Sequence, residues 1–67
     1  NPYAEYLYYN RACCYAKLNK KDEAFRDLRK AIVLFPEFIN IMKEDEDLKS
    51  LYEDERFIEL LNKVKKN

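Results

Sequence analysis

The sequence predicts an all-α fold, and three observations carry that prediction. The 67 residues include no Gly and only two Pro, Pro2 and Pro36, whereas a β-rich chain this short needs turn residues every ~8–12 positions. Thr and Gln are also absent, while 39% of the residues are charged and 48% hydrophobic, the make-up of packed helices with solvated outer faces. Finally, the apolar residues recur at three- and four-residue steps along most of the chain.

The elements follow in order. Asn1-Pro2 is a helix start, with Asn capping and Pro at the first helical position. From Tyr3 to Leu18 the stripe Ala4, Leu7, Tyr8, Ala12, Tyr15 and Leu18 predicts an amphipathic helix. On this register Cys14 lies inside and Cys13 on an open face. Asn19 stands where a left-handed residue closes a helix, and Lys20-Lys21 cover the turn. Asp22 and Glu23 open a second helix with negative charge at its positive end, and Asp22 is spaced to pair with Arg26. Ala24, Leu28, Ala31, Ile32 and Phe35 form its inner stripe, and Pro36 ends it. Residues 1–36 thus predict an antiparallel helical hairpin, and residues 37–67 predict short helices that cap it within the same domain.

In that second part, Glu37 to Lys43 reads as a short helix carrying Phe38, Ile39, Ile41 and Met42. The acidic run at 44–47 reads as a solvated loop, with Asp47 capping a turn through Leu48, Leu51 and Tyr52. Asp54 caps the last helix, whose stripe is Phe57, Leu60, Leu61 and Val64, with Glu59 and Lys63 as an ion pair. The stripe is expected to pack on the second helix near Leu28, Ile32 and Phe35.

Charge and composition exclude several functions. Thirteen basic and thirteen acidic residues cancel, so no global field draws the chain to nucleic acid or to an anionic membrane. His is absent, which removes the commonest general base and the commonest metal ligand together. Ser50, Cys13 and Cys14 are the candidate nucleophiles, and no imidazole is present to activate them, so no catalytic residue and no cofactor is expected. Two adjacent Cys lack the spacing and the further ligands of a zinc site, and no metal is expected. No apolar run approaches the ~20 residues that span a bilayer. Free thiols fit a cytoplasmic setting, and a start at Asn1 rather than Met implies a piece of a longer protein.

Residues 8–36 resemble one tetratricopeptide repeat, a helix-turn-helix unit of about 34 residues. Tyr8, Ala12, Tyr15, Ala24, Leu28, Ala31 and Pro36 match its aromatic, small, aromatic, small, large-apolar, small, Pro pattern. Arg11, where Leu is usual, and Asn19, in place of a turn Gly, depart from it. The strings Glu46-Asp47-Leu48-Lys49-Ser50-Leu51 and Asp54-Glu55-Arg56-Phe57 look like the closing segment of such repeat arrays.

The resemblance implies a non-enzymatic protein-interaction scaffold that binds a protein or peptide, the chain being its terminal module. Its concave face maps to Tyr6, Tyr9, Asn10, Cys13 and Lys17, where Tyr offers rigid amphipathic area and Asn and Lys hold a backbone or a carboxylate. Two other readings of these residues stay open: cover by a neighbouring repeat, or cover by the C-terminal helices of this chain. The purely structural alternative is a capping or oligomerising segment, and a regulatory domain attached to an enzyme is a third. Tyr3, Tyr6, Leu7, Tyr8 and Tyr9 also predict an apolar patch that a second copy covers in a weak two-fold dimer.

Overall fold

The computed structural model describes the backbone of residues 3–65 and the side chains of residues 3–62. Among these residues the chain is α1 (Ala4–Lys17), α2 (Lys21–Leu34), α3 (Phe38–Met42), a 3-10 helix (Glu46–Leu51) and α4 (Glu55–Lys65), with no strand. The Asn1-Pro2 start, Val64 of the last stripe and the Glu59–Lys63 pair lie outside the described residues.

The hairpin turn forms as its sequence dictates. Asn19 adopts φ 62°, the left-handed conformation in which Asn costs least after Gly. The Asn19 N–H then donates to the Ala16 carbonyl at 3.0 Å and the Lys20 N–H to the Tyr15 carbonyl at 2.8 Å, closing the end of α1. Asp22 and Glu23 lie in the first turn of α2. At its far end Phe35 is extended, φ −150° and ψ 87°, as the residue before Pro36 must be. Ala12, Ala24 and Ala31 are fully buried, small side chains that let the helices pack closely.

The inner face of α1 differs from the expected stripe. Leu7 and Leu18 are exposed, at 56% and 65%, whereas Tyr9, Ala12, Cys13 and Ala16 are buried. Cys13 is therefore inside and Cys14 outside, the reverse of the expected register. The physical reason is that α1 has two neighbours, α2 on one side and the 3-10 helix on another. A helix apolar on most of its sides does not reveal by periodicity which side a second neighbour will take.

The C-terminal half closes the core. Phe38, Met42, Leu48 and Leu51 are fully buried alongside Phe25 and Leu28 of α2. Each such side chain contributes ~1.5–3 kcal/mol, which a chain this short needs. Asp45, not Asp47, caps the 3-10 helix: its Oδ1 accepts from the Asp47 N–H at 3.0 Å, so Glu46 and Asp47 belong to the helix rather than to a loop. Asp54 caps α4 as expected, its Oδ1 accepting from the Arg56 N–H at 2.9 Å. α4 packs on α2 and α3 through buried Phe57 and Leu60. Arg56 fixes this contact, its guanidinium 4.4 Å from the centre of the Phe25 ring and 2.7 Å from Asp22. Asp22 thus pairs across to α4 rather than along α2 to Arg26.

Candidate protein-binding site

Tyr6, Tyr9, Asn10, Cys13 and Lys17 recur at helical spacing along one side of α1, and the C-terminal half lies against that side. Tyr9 is buried, its ring stacked on Phe38 with centroids 4.6 Å apart. Its hydroxyl donates to Asp45 Oδ2 at 2.7 Å, and Cys13 Sγ lies 3.9 Å from the same oxygen. Ser50 Oγ donates to the Ala16 carbonyl at 3.0 Å, and Tyr52 donates to the Asp45 carbonyl at 2.8 Å. Tyr9 and Cys13 are thereby covered by this chain. Tyr6, Asn10 and Lys17 are exposed beside them, Tyr6 edge-on to Phe38 at 5.6 Å and Lys17 3.4 Å from Asp47.

The electrostatics of this contact follow from burial. Burial pushes the Cys13 thiol up to about 12, with the Asp45 and Asp47 carboxylates adding to the shift. Tyr9 moves up from its ordinary range for the same reason, and its hydrogen bond to Asp45 holds it neutral. Cys13, Asp45 and Asp47 bring a thiol and two carboxylates within 4.8 Å of one another. A buried thiol held protonated is a poor ligand, and the two carboxylates are engaged by Tyr9 and Lys17.

Arg11 carries a contact that the sequence did not disclose. Its Nε and Nη2 donate to the two carboxylate oxygens of Asp27 at 2.7 and 2.9 Å. Asp27 is only 1% exposed, so the fork supplies the charge that its burial requires. The available signal is a carboxylate beside the inner stripe of α2 facing an Arg where Leu is usual. On the far side of the hairpin, two adjoining grooves share Tyr8. One is lined by Arg29, Lys30, Val33 and Leu34, the other by Ala4, Leu7 and Arg11.

Neither the curated proteins nor the solved structures give a match to the chain. The family model of the tetratricopeptide repeat matches residues 5–38, just over half of its 67 residues. The α1–α2 hairpin, ended before Pro36 and with Ala12, Ala24 and Ala31 fully buried, agrees with that match. The chain belongs to the tetratricopeptide-repeat family, whose members are generally non-catalytic protein-interaction modules.

Proposed function

We propose that this chain is the terminal module of a longer interaction scaffold and binds a peptide segment along α1. The observation that supports this most is asymmetry. The C-terminal half covers Tyr9, Cys13 and Ala16 of α1, while Leu7 and Leu34 on the opposite side stay open. Residues 37–67 act as the cap and residues 1–36 as the repeat. Tyr6, Asn10 and Lys17 are the exposed members of the binding face, and Tyr9 and Cys13 hold it from beneath. Tyr6 supplies an apolar anchor, while Asn10 and Lys17 hold a main-chain amide or a carboxylate of the bound segment. Two free thiols support a reducing, cytoplasmic setting.

The test is a titration of immobilised 12-residue peptides, half with free and half with amidated C-termini, against the chain and its Tyr6→Ala/Lys17→Ala variant. Binding that falls roughly tenfold in the variant supports the reading. Binding indifferent to both substitutions, or no binding by any peptide, overturns it and leaves a purely structural cap.

A further inference from the structure

We propose that Ser50 is a phosphorylation site for an acid-directed serine kinase, and that its phosphate lifts the 3-10 helix from α1. Ser50 is the one Ser of the sequence and Thr is absent, so a serine kinase has a single hydroxyl to act on. Its side chain is exposed, next to the end of the 3-10 helix. Glu53, Asp54 and Glu55 follow it at the third to fifth positions. Asp54 is held by Arg56, whereas Glu53 and Glu55 are exposed and enter no ion pair among the described residues. A kinase with a basic substrate cleft selects a hydroxyl by carboxylates placed in this way. The i→i+3 bonds of a 3-10 helix have poorer geometry than those of an α-helix, so its end opens more readily to enter such a cleft. In the transfer, Ser50 Oγ forms a bond to the γ-phosphorus of a nucleoside triphosphate, and that phosphorus parts from the β,γ-bridging oxygen. The hydroxyl proton passes to the kinase's base, and the nucleoside diphosphate leaves.

The consequence follows from what Ser50 does in the unmodified fold. Its Oγ donates to the Ala16 carbonyl at 3.0 Å, fastening the 3-10 helix to the last turn of α1. Once esterified, Oγ has no hydrogen to give. The phosphate oxygens are acceptors set against another acceptor, at the negative end of α1. Glu46 and Asp47 line the same groove and add to the repulsion. Lys17 and Lys49 line it too, but Lys17 is already drawn to Asp47 at 3.4 Å, and Lys49 is exposed, where pairing in water is weak. Cys13 is buried beneath this contact, so lifting the 3-10 helix uncovers its thiol. The modification does not depend on peptide binding at Tyr6 and Asn10.

The 67-residue chain carrying Cys14→Ser, incubated with a recombinant acid-directed serine kinase and ATP, provides the test. Intact mass is expected to show one phosphoryl group, and none once Ser50→Ala is added. Glu53→Gln/Glu55→Gln is expected to slow incorporation about tenfold. Cys13 of the phosphorylated chain is expected to react with an aromatic disulfide reagent about tenfold faster than in the unmodified chain, and phosphatase treatment to restore the slow rate. The excess rate is expected to shrink as salt rises. Ser50→Ala loses the hydrogen bond without gaining charge, so its Cys13 rate is expected not to respond to salt in this way. Absence of incorporation, incorporation indifferent to Glu53 and Glu55, or a Cys13 rate unchanged by phosphate overturns the proposal. So does an equal acceleration in Ser50→Ala, since the added charge then plays no part.

Discussion

The Tyr9 hydroxyl donates to Asp45 Oδ2 at 2.7 Å, joining two residues 36 apart in the chain. The bond ties the first helix to the residue that caps the 3-10 helix, and the Tyr9 ring stacks on Phe38 beside it. Tyr9→Phe keeps the stack and removes the bond. A cost of about 1–2 kcal/mol is expected, read as a lower urea midpoint with an unchanged slope.

The same contact sets the alkaline limit of the fold. The Cys13 thiol goes from its ordinary 9.0 to about 12 in the folded chain, chiefly through burial. Tyr9 rises from its ordinary 10.0 for the same reason. Both are acids kept neutral by folding, so the unfolded chain gives up these protons first as pH rises. Stability is therefore full below about pH 9 and falls between 9 and 12. Melting curves across that window check it, and Cys13→Ala is expected to delay the fall until Tyr9 begins to contribute near pH 10.

Arg11 compensates a buried charge. Arg11→Leu, which installs the residue usual in the family, leaves Asp27 buried and unpaired and is expected to cost about 2–3 kcal/mol, half-exposure of Arg11 tempering the loss. Arg11→Leu/Asp27→Leu is expected to recover at least half of that. A double variant as unstable as the single one means the pair matters through its shape, not through its charge.

Cys13 and Cys14 are separable by reactivity. Cys14 is exposed and is expected to react at once with an aromatic disulfide reagent, while Cys13 reacts only as the chain unfolds. Cys13→Ser is expected to cost about 1–2 kcal/mol and Cys14→Ser less than about 0.5 kcal/mol. Equal reaction rates place the 3-10 helix away from α1.

Removing residues 54–67 takes away Phe57 and Leu60, uncovers Phe25 and deletes the Arg56–Asp22 pair. At ~1.5–3 kcal/mol per buried side chain, the loss approaches the whole stability expected of so small a chain. The cooperative melt at 222 nm is expected to disappear. An unchanged melting temperature makes α4 a passive appendage.

The hairpin was legible because its determinants are local. Asn19 supplies the left-handed residue, Pro36 the stop, and Ala12 and Ala24 the small buried side chains of the hairpin. The side of α1 that faces the cap was not legible, since Leu7, Tyr8, Tyr9, Cys13 and Cys14 are apolar all round and only a distant segment selects among them. Asp45 was hidden in a run of four carboxylates with equivalent local signals. What distinguishes it is Tyr9, 36 residues away. The Arg11–Asp27 fork was missed because it joins two helices, whereas charge spacing within one helix is all that a sequence displays directly.

The lining of Tyr9, Cys13 and Ala16 by residues 38–51 also bears on vectorial synthesis. The ribosome adds ~5–20 residues per second, and α1 emerges before its second neighbour has been translated. α2 can close on one side of it early, but the other side stays wet until Leu51 has left the exit tunnel. A nascent chain arrested ahead of Asp45 thus leaves uncovered a tyrosine and a thiol that are buried in the finished fold.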